Sequence, residues 1–185
     1  MEKIKQAIET LKKGGALLYP TDTIWGIGCD ATNEEAVEKV IQIKSRGKEK
    51  SFIILVESVN RLERLVPKFP DVCYDLIDYA DKPLTIIYED VKGVAKNVLA
   101  QDGSVGIRVT KDPLCQQLIR GLNRPIVSTS ANFSGEPSPT KFSDIPERLK
   151  SQLDFILDER TEEVTKKAST IIKIGKNSSV QIIRK

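Results

Sequence analysis

The chain contains no histidine among its 185 residues. That single absence excludes Ser-His-Asp and Cys-His triads, His-ligated zinc and imidazole acid–base chemistry. Any catalysis must draw on Lys, Arg, Asp, Glu, hydroxyls, backbone dipoles or a bound metal. Cysteine is scarce as well. Cys29, Cys73 and Cys115 cannot all pair and form no metal-ligand spacing, so a reducing, cytoplasmic setting is expected. Cys29 has no partner base and reads as a small buried residue rather than a nucleophile. Long apolar runs are missing too. Phe52 to Val56 is far too short to span a bilayer, and the N-terminus lacks the apolar core of a signal peptide, so no membrane partner is expected. Two phosphate-binding signatures are also absent. Without G-x-x-x-x-G-K-S/T, any ATP is held without a P-loop. Without G-x-G-x-x-G after a strand, a dinucleotide-binding fold is disfavoured.

What is present is ordinary globular composition, 39% hydrophobic and 30% charged, in a chain long enough for one domain with a proper core. A single domain over residues 1–185 is the expectation. The net charge of +3 is too small to advertise nucleic-acid binding by itself, and it suits polyphosphate or carboxylate ligands equally.

Helical spacing of Ile4, Ala7, Ile8 and Leu11 precedes the stop Gly14-Gly15, and a buried strand follows from Ala16 to Tyr19. Residues 21–30 read as a loop or short strand with two glycines. Thr32 and Glu35 form a capping-box pattern for a helix bearing Ala36, Val37, Val40 and Ile41, fraying near Lys44 and stopping at Gly47. Strands are predicted from Phe52 to Val56, Leu84 to Tyr88 and Val105 to Val109, with helices after Ser58 and from Pro70 to Ala80. Asp112-Pro113 starts another helix. A short apolar strand at Pro125-Ile126-Val127 opens into the polar loop through Thr140. A helix around Ile145 to Leu153 and strands near 155–157, 170–174 and 180–183 complete the chain. Glu159 to Lys167 reads as a charged, mobile loop. This pattern predicts one α/β domain with a twisted, mixed sheet and helices on its outer side.

Four clusters could carry chemistry. Pro20-Thr21-Asp22-Thr23 sets hydroxyls around a carboxylate at a strand end, or forms an Asx-type turn. Lys44-Ser45-Arg46-Gly47-Lys48-Glu49-Lys50-Ser51 places four cations between a helix and a strand, as a cleft wall or a solvated run. Arg108 sits inside an apolar strand, where an exposed face is the usual position, although its guanidinium fork suits a carboxylate or phosphate. Ser128 to Thr140 is crowded with hydroxyls around Asn132, which together can bind a polar ligand. Trp25 could stack on a base, but core packing is its expected job. These residues alone predict a basic, hydroxyl-rich cleft for a nucleotide plus a small polar molecule, with the reaction left open.

Taken together and in order, the clusters resemble the YrdC family of threonylcarbamoyl-AMP synthases. The resemblance runs from Pro20 to Arg184. It rests on Pro20 to Asp30, Lys44-Ser45-Arg46 with Lys50-Ser51, Lys82-Pro83-Leu84-Thr85, Val105 to Val109, Ser128 to Gly135 and Ala168 to Ile172. Gly47 and Ser51 stand where the family often has proline. The resemblance implies a concave, positively charged cavity and a reaction of ATP, L-threonine and bicarbonate or CO2 that gives threonylcarbamoyl-AMP and pyrophosphate. A separate transferase complex would then carry the group to tRNA beside the anticodon. It also implies that Lys44, Arg46, Ser130 and Asn132 act on the ATP phosphates, with Thr85, Ser138 and Arg184 as further ATP contacts. Thr23, Arg108, Ser128 and Ser169 would hold threonine, and Mg2+ would arrive with ATP. Two alternatives remain at this point: an RNA- or tRNA-binding module without chemistry, and a relative that uses carbamoyl phosphate.

Overall fold

The computed structural model describes residues 2–45, 52–164, 167–175 and 179–185. Its centre is a nine-stranded mixed sheet in the order β7-β1-β2-β6-β3-β5-β4-β8-β9. The strands are β1 (Leu17–Tyr19), β2 (Gly26–Gly28), β3 (Ile53–Val56), β4 (Leu84–Tyr88), β5 (Val105–Val109), β6 (Ile126–Ser130), β7 (Phe155–Ile156), β8 (Thr170–Ile174) and β9 (Val180–Arg184). The helices are α1 (Glu2–Lys12), α2 (Glu34–Ile43), α3 (Val59–Leu65), α4 (Val72–Asp78), α5 (Pro113–Leu122) and α6 (Glu147–Lys150). Antiparallel and parallel pairs alternate through the centre: β6–β3 is antiparallel, β3–β5 parallel and β5–β4 antiparallel.

Around Leu55 and Ile126 the central strands are covered on both faces, which is why they open or close as apolar runs rather than alternating ones. Successive residues on a strand point to opposite faces. Thus Leu17, Tyr19, Leu55 and Ile126 pack under α1 and α5 with Ala7, Leu11, Leu118 and Ile119. Their immediate neighbours Leu18, Ile54, Val56 and Val127 join the larger core on the other face, with Val37 and Val40 of α2 and Leu62 of α3. Trp25 is 1% exposed and stacks its ring 5.0 Å from that of Phe142, the packing role expected of it.

Local chemistry sets the helix ends, with some departures from expectation. Asn33, not Thr32, caps α2, its side chain accepting from the Glu35 and Ala36 amides. Thr32 is taken by Asp30, whose Oδ1 accepts from both its amide and its hydroxyl. Helix α2 ends at Ile43, followed by Ser45 in the left-handed region at φ 47°, while the expected stop at Gly47 lies outside the described residues. Asp112 caps α5 with Pro113 in the first turn, as its sequence suggests. The helices expected over 70–80 and 145–153 are shorter, and Asp71 and Pro146 make no side-chain cap bonds. Within the charged loop expected from Glu159 to Lys167, one position is anchored. Arg160 donates to both carboxylate oxygens of Asp112 at 2.8 and 3.1 Å, tying it to the α5 N-terminus.

Close backbone approach at the β1–β2–β6 junction depends on Gly28. A Cβ there would lie 2.5 Å from the Val127 carbonyl and 2.6 Å from the buried Tyr19 ring. Neither neighbour is a flexible chain end, so the backbone must move. Gly28→Ala is therefore expected to cost about 1–3 kcal/mol of stability, the usual range for overpacking. Urea unfolding checks it, and an unchanged midpoint would show that the junction is looser than described.

Candidate active site

The helix cover on the α1/α5 face stops partway across the sheet. Where it stops, the same strands turn polar. Ile126 lies under the helices, and Ser128 and Ser130, two and four residues on, keep its face but meet open space. By the same parity Leu55 gives way to Ile53. Gly106 shares its face with Arg108 and Thr85 with Ile87. Ser128, Ile53, Gly106 and Ile87 stand opposite one another across β6, β3, β5 and β4. This row lines a cavity of ≈ 410 Å³, within the usual range of about 300–1,000 Å³ for small-molecule sites. Gly106 gives the floor its depth. A Cβ there would sit 2.9 Å from the Thr85 methyl and 3.7 Å from Ile53.

Lys44, Ser130, Asn132, Thr85, Ser138, Arg184, Thr23, Arg108, Ser128 and Ser169, spread over seven segments of sequence, all line this one cavity. Arg46 lies outside the described residues. Arg108 is not on an exposed face: it is 3% exposed, with its Nη2 3.2 Å from Asp22 Oδ1 and its Nη1 donating to Thr23 Oγ1 at 3.1 Å. Residues that sequence reasoning passed over also contribute. Gly26, Gly106, Ile53, Ile87 and Ile171 form apolar and glycine surface, while Asp22, noted in the sequence for its carboxylate but given no role, pairs with Arg108. The signal was present in Val105-Gly106-Ile107-Arg108-Val109, where the glycine and the arginine share one parity.

Lys44, at the end of α2, is 3% exposed. Its ammonium donates to the Ser130 carbonyl at 2.5 Å, to the Asn132 carbonyl, and to Asn132 Oδ1 at 3.1 Å. The Ser134 amide returns a bond to the Lys44 carbonyl at 3.1 Å, and Asn132 Nδ2 donates to the Glu136 carbonyl at 2.5 Å. A buried cation thus gathers the oxygens of the 130–136 loop and fixes its shape. On the opposite wall, Thr85 and Ser169 hydroxyls lie 2.8 Å apart, so the positions expected for ATP and for threonine adjoin. Arg184 donates to the Ser169 carbonyl from Nε at 3.1 Å and Nη2 at 2.8 Å. Burial, and secondarily the neighbouring Arg108 cation, pull the Arg184 pKa below its ordinary value. Two guanidiniums and an ammonium facing one cavity favour an anionic ligand.

The thiols stand apart from this chemistry. Cys29, Cys73 and Cys115 are free and buried. Burial, with Asp30 adding to it, pushes the Cys29 thiol far up, which keeps it protonated and unreactive. Among the described residues no group of three or more His, Cys, Asp and Glu could hold a metal, and no helix is long and apolar enough to cross a membrane.

A twisted mixed sheet with a cationic, hydroxyl-lined cavity on one face defines an α/β small-molecule site built for anions. Comparison with known proteins makes the assignment more specific. Residues 9–185 match the Sua5/YciO/YrdC family model, described as telomere recombination, and the chain belongs to this family. A threonylcarbamoyl-AMP synthase of Pseudomonas fluorescens is 32% identical over 156 residues, covering 84% of each chain. The crystal structure of P. abyssi Sua5 complexed with L-threonine superposes with a TM-score of 0.82 at 26% identity. It covers 92% of this chain and 50% of the Sua5 chain, so this chain spans half of that protein's length. E. coli YciO superposes with a TM-score of 0.85 at 25% identity, covering 98% of this chain and 88% of YciO. The expected α/β fold and family are thereby established.

The Lys44 clamp makes a prediction that needs no ligand. Lys44→Met keeps the aliphatic stem but removes the cation that the loop oxygens surround. Amide exchange of residues 131–136 should accelerate about tenfold or more, equivalent to roughly 1.4 kcal/mol of lost local stability. Hydrogen-exchange mass spectrometry reads this directly. Unaltered exchange would mean that the loop holds its shape without the ammonium.

Proposed function

We propose that this protein makes threonylcarbamoyl-AMP from L-threonine, bicarbonate or CO2, and ATP, releasing pyrophosphate. The observation that carries this reading is the convergence of Lys44, Ser130 and Asn132 with Arg108, Thr23, Ser128 and Ser169 on one cavity. The name of the P. fluorescens relative and the threonine complex of P. abyssi Sua5 support it.

The carboxylate of threonine pairs with Arg108, a charge-assisted contact made beside the Thr23 and Ser128 hydroxyls. The amine nitrogen forms a bond to the carbon of CO2 and gives up a proton, producing a carbamate. With bicarbonate, a water leaves in the same exchange. A carbamate oxygen then attacks the α-phosphorus of ATP, and the bond to pyrophosphate breaks. Lys44, Arg46, Ser130 and Asn132 carry the phosphates and stabilise the charge that grows on the departing pyrophosphate. Thr85, Ser138 and Arg184 contact the rest of ATP. No covalent enzyme intermediate is required, which suits a chain without histidine. Electrostatic preorganisation of this kind is a dominant source of catalysis in phosphoryl chemistry. The described residues of the cavity lining include no carboxylate, so they offer no cage for a resident metal. Mg2+ would enter on the triphosphate and neutralise part of its charge. The product would pass to a transferase complex that modifies tRNA.

Pyrophosphate release from ATP, Mg2+ and bicarbonate tests the reading, with L-threonine, L-serine or no amino acid added. Threonine-dependent release is expected, with threonylcarbamoyl-AMP identified by mass spectrometry. Lys44→Ala and Arg46→Ala should keep the fold and lose about 10²-fold or more in turnover, the scale of losing one preorganised charge donor. Release that ignores threonine would overturn the assignment, and normal turnover in folded variants would remove those two residues from it.

A further inference from the structure

Asp22 is a carboxylate that touches the cationic wall of the cavity through Arg108, and the mechanism above gives it no task. It does not line the main cavity. It lines a neighbouring cavity of ≈ 250 Å³ together with Pro20, Thr21, Lys111, Asp112 and Arg160. Thr23 lines both cavities, so Asp22 meets Arg108 from the side opposite to the ligand.

The hydrogen bonds around Arg108 fix its orientation. Thr21 Oγ1 donates its proton to the Ile24 carbonyl at 2.8 Å and accepts from the Thr23 amide at 3.0 Å. With that proton used, the 2.9 Å contact between the two hydroxyls must be donated by Thr23. Thr23 Oγ1 then presents a lone pair to Arg108 Nη1 at 3.1 Å. Asp22 Oδ1 approaches Nη2 at 3.2 Å. Both terminal nitrogens are thereby engaged by residues of one short turn. Nε is buried without a hydrogen-bond partner, and each terminal nitrogen keeps a second N–H. Asp22 Oδ1 is itself without an aligned hydrogen bond, so its hold on Nη2 is an ion pair.

We propose that Asp22 is a positioning residue for the amino-acid substrate, a role that rests on the threonine reading above. Its carboxylate serves as the counter-charge of Arg108 in the empty site and sets the rotation of the guanidinium plane. The N–H groups that Thr23 and Asp22 leave unpaired are then what the fork can offer the substrate carboxylate. A guanidinium held at two points loses little rotational freedom on binding, which is the source of the affinity gain. With Arg184 on the same cavity, an Arg108 lacking its counter-charge would also be repelled from its place.

Two measurements test this. Asp22→Asn keeps the size of the side chain and removes its charge. The KM for threonine should rise about tenfold or more, while kcat and the KM for ATP stay within about twofold, and Asp22→Glu should recover part of the loss. A threonine KM within twofold of wild type, or an equal rise in both KM values, would overturn the proposal. If wild-type protein shows no threonine-dependent turnover, the functional reading fails instead, which is a different result. The second measurement needs no substrate. The Nη protons of Arg108, assigned with Arg108→Lys, should give separate NMR signals in wild type and averaged ones in Asp22→Asn. Averaged signals in wild type would show that Asp22 does not hold the plane, whatever the reaction is.

Discussion

The constraint on which this structure depends is the two-residue period of its strands, applied to a sheet whose one face is only partly covered. Under α1 and α5 that face must be apolar, and Leu55 and Ile126 supply it. One or two positions along the same strands the cover ends, and the residues of the same parity become Ser128, Ser130, Gly106, Arg108 and Thr85. The site is thus the uncovered remainder of a core layer. On the opposite face Ile54, Val56, Ile107 and Val127 are all buried. A one-residue slip in register would exchange the two sets and lose the core and the site together.

Charge decides how that remainder is used. Buried cations are costly unless something answers them. Each cation here has a different answer. Lys44 is surrounded by the oxygens of its own loop, Arg108 is paired from behind by Asp22, and Arg184 spends its donors on Ser169. The first and third of these anchor the cavity's walls, the loop after β6 and the segment leading into β8. The second keeps N–H donors in hand, the buried Nε among them. Stability and ligand recognition therefore draw on the same side chains, and the walls keep their geometry while the cavity is empty. Such preorganisation favours reactions in which charge must be met as it develops, as in displacement at a phosphorus centre.

Much of this was legible in the sequence, and the exceptions have physical causes. The central strands are plain because both of their faces are buried, so each is a short apolar run. The cavity residues are legible by type and order, since hydroxyls, an amide and cations recur at strand ends. Their convergence is not legible, because it depends on β6, β3, β5 and β4 lying side by side, an order that no local signal encodes. The α2 cap was misplaced because two capable residues, Thr32 and Asn33, stand together, and Asp30 removes one of them from competition. Glu159 to Lys167 looked mobile from its charges. One of those charges, Arg160, meets a buried Asp112 supplied from far along the chain.

Asp22 shows why a site residue can escape a reading based on residue type. In isolation, a carboxylate between two threonines after a proline is a turn former, and nothing nearby asks for its charge. Its partner is 86 residues away in sequence (108 minus 22), on a strand where an arginine would ordinarily face solvent. Once Arg108 is buried the relation reverses. A guanidinium at 3% exposure needs a counter-charge at all times, and the substrate supplies one only while it is bound. A resident anion inside the cavity would occupy the donors that the substrate needs. An anion behind the guanidinium meets the same electrostatic demand and leaves the forward edge open. With Arg108 taking the substrate carboxylate as proposed, one planar cation is divided between a permanent partner and a transient one.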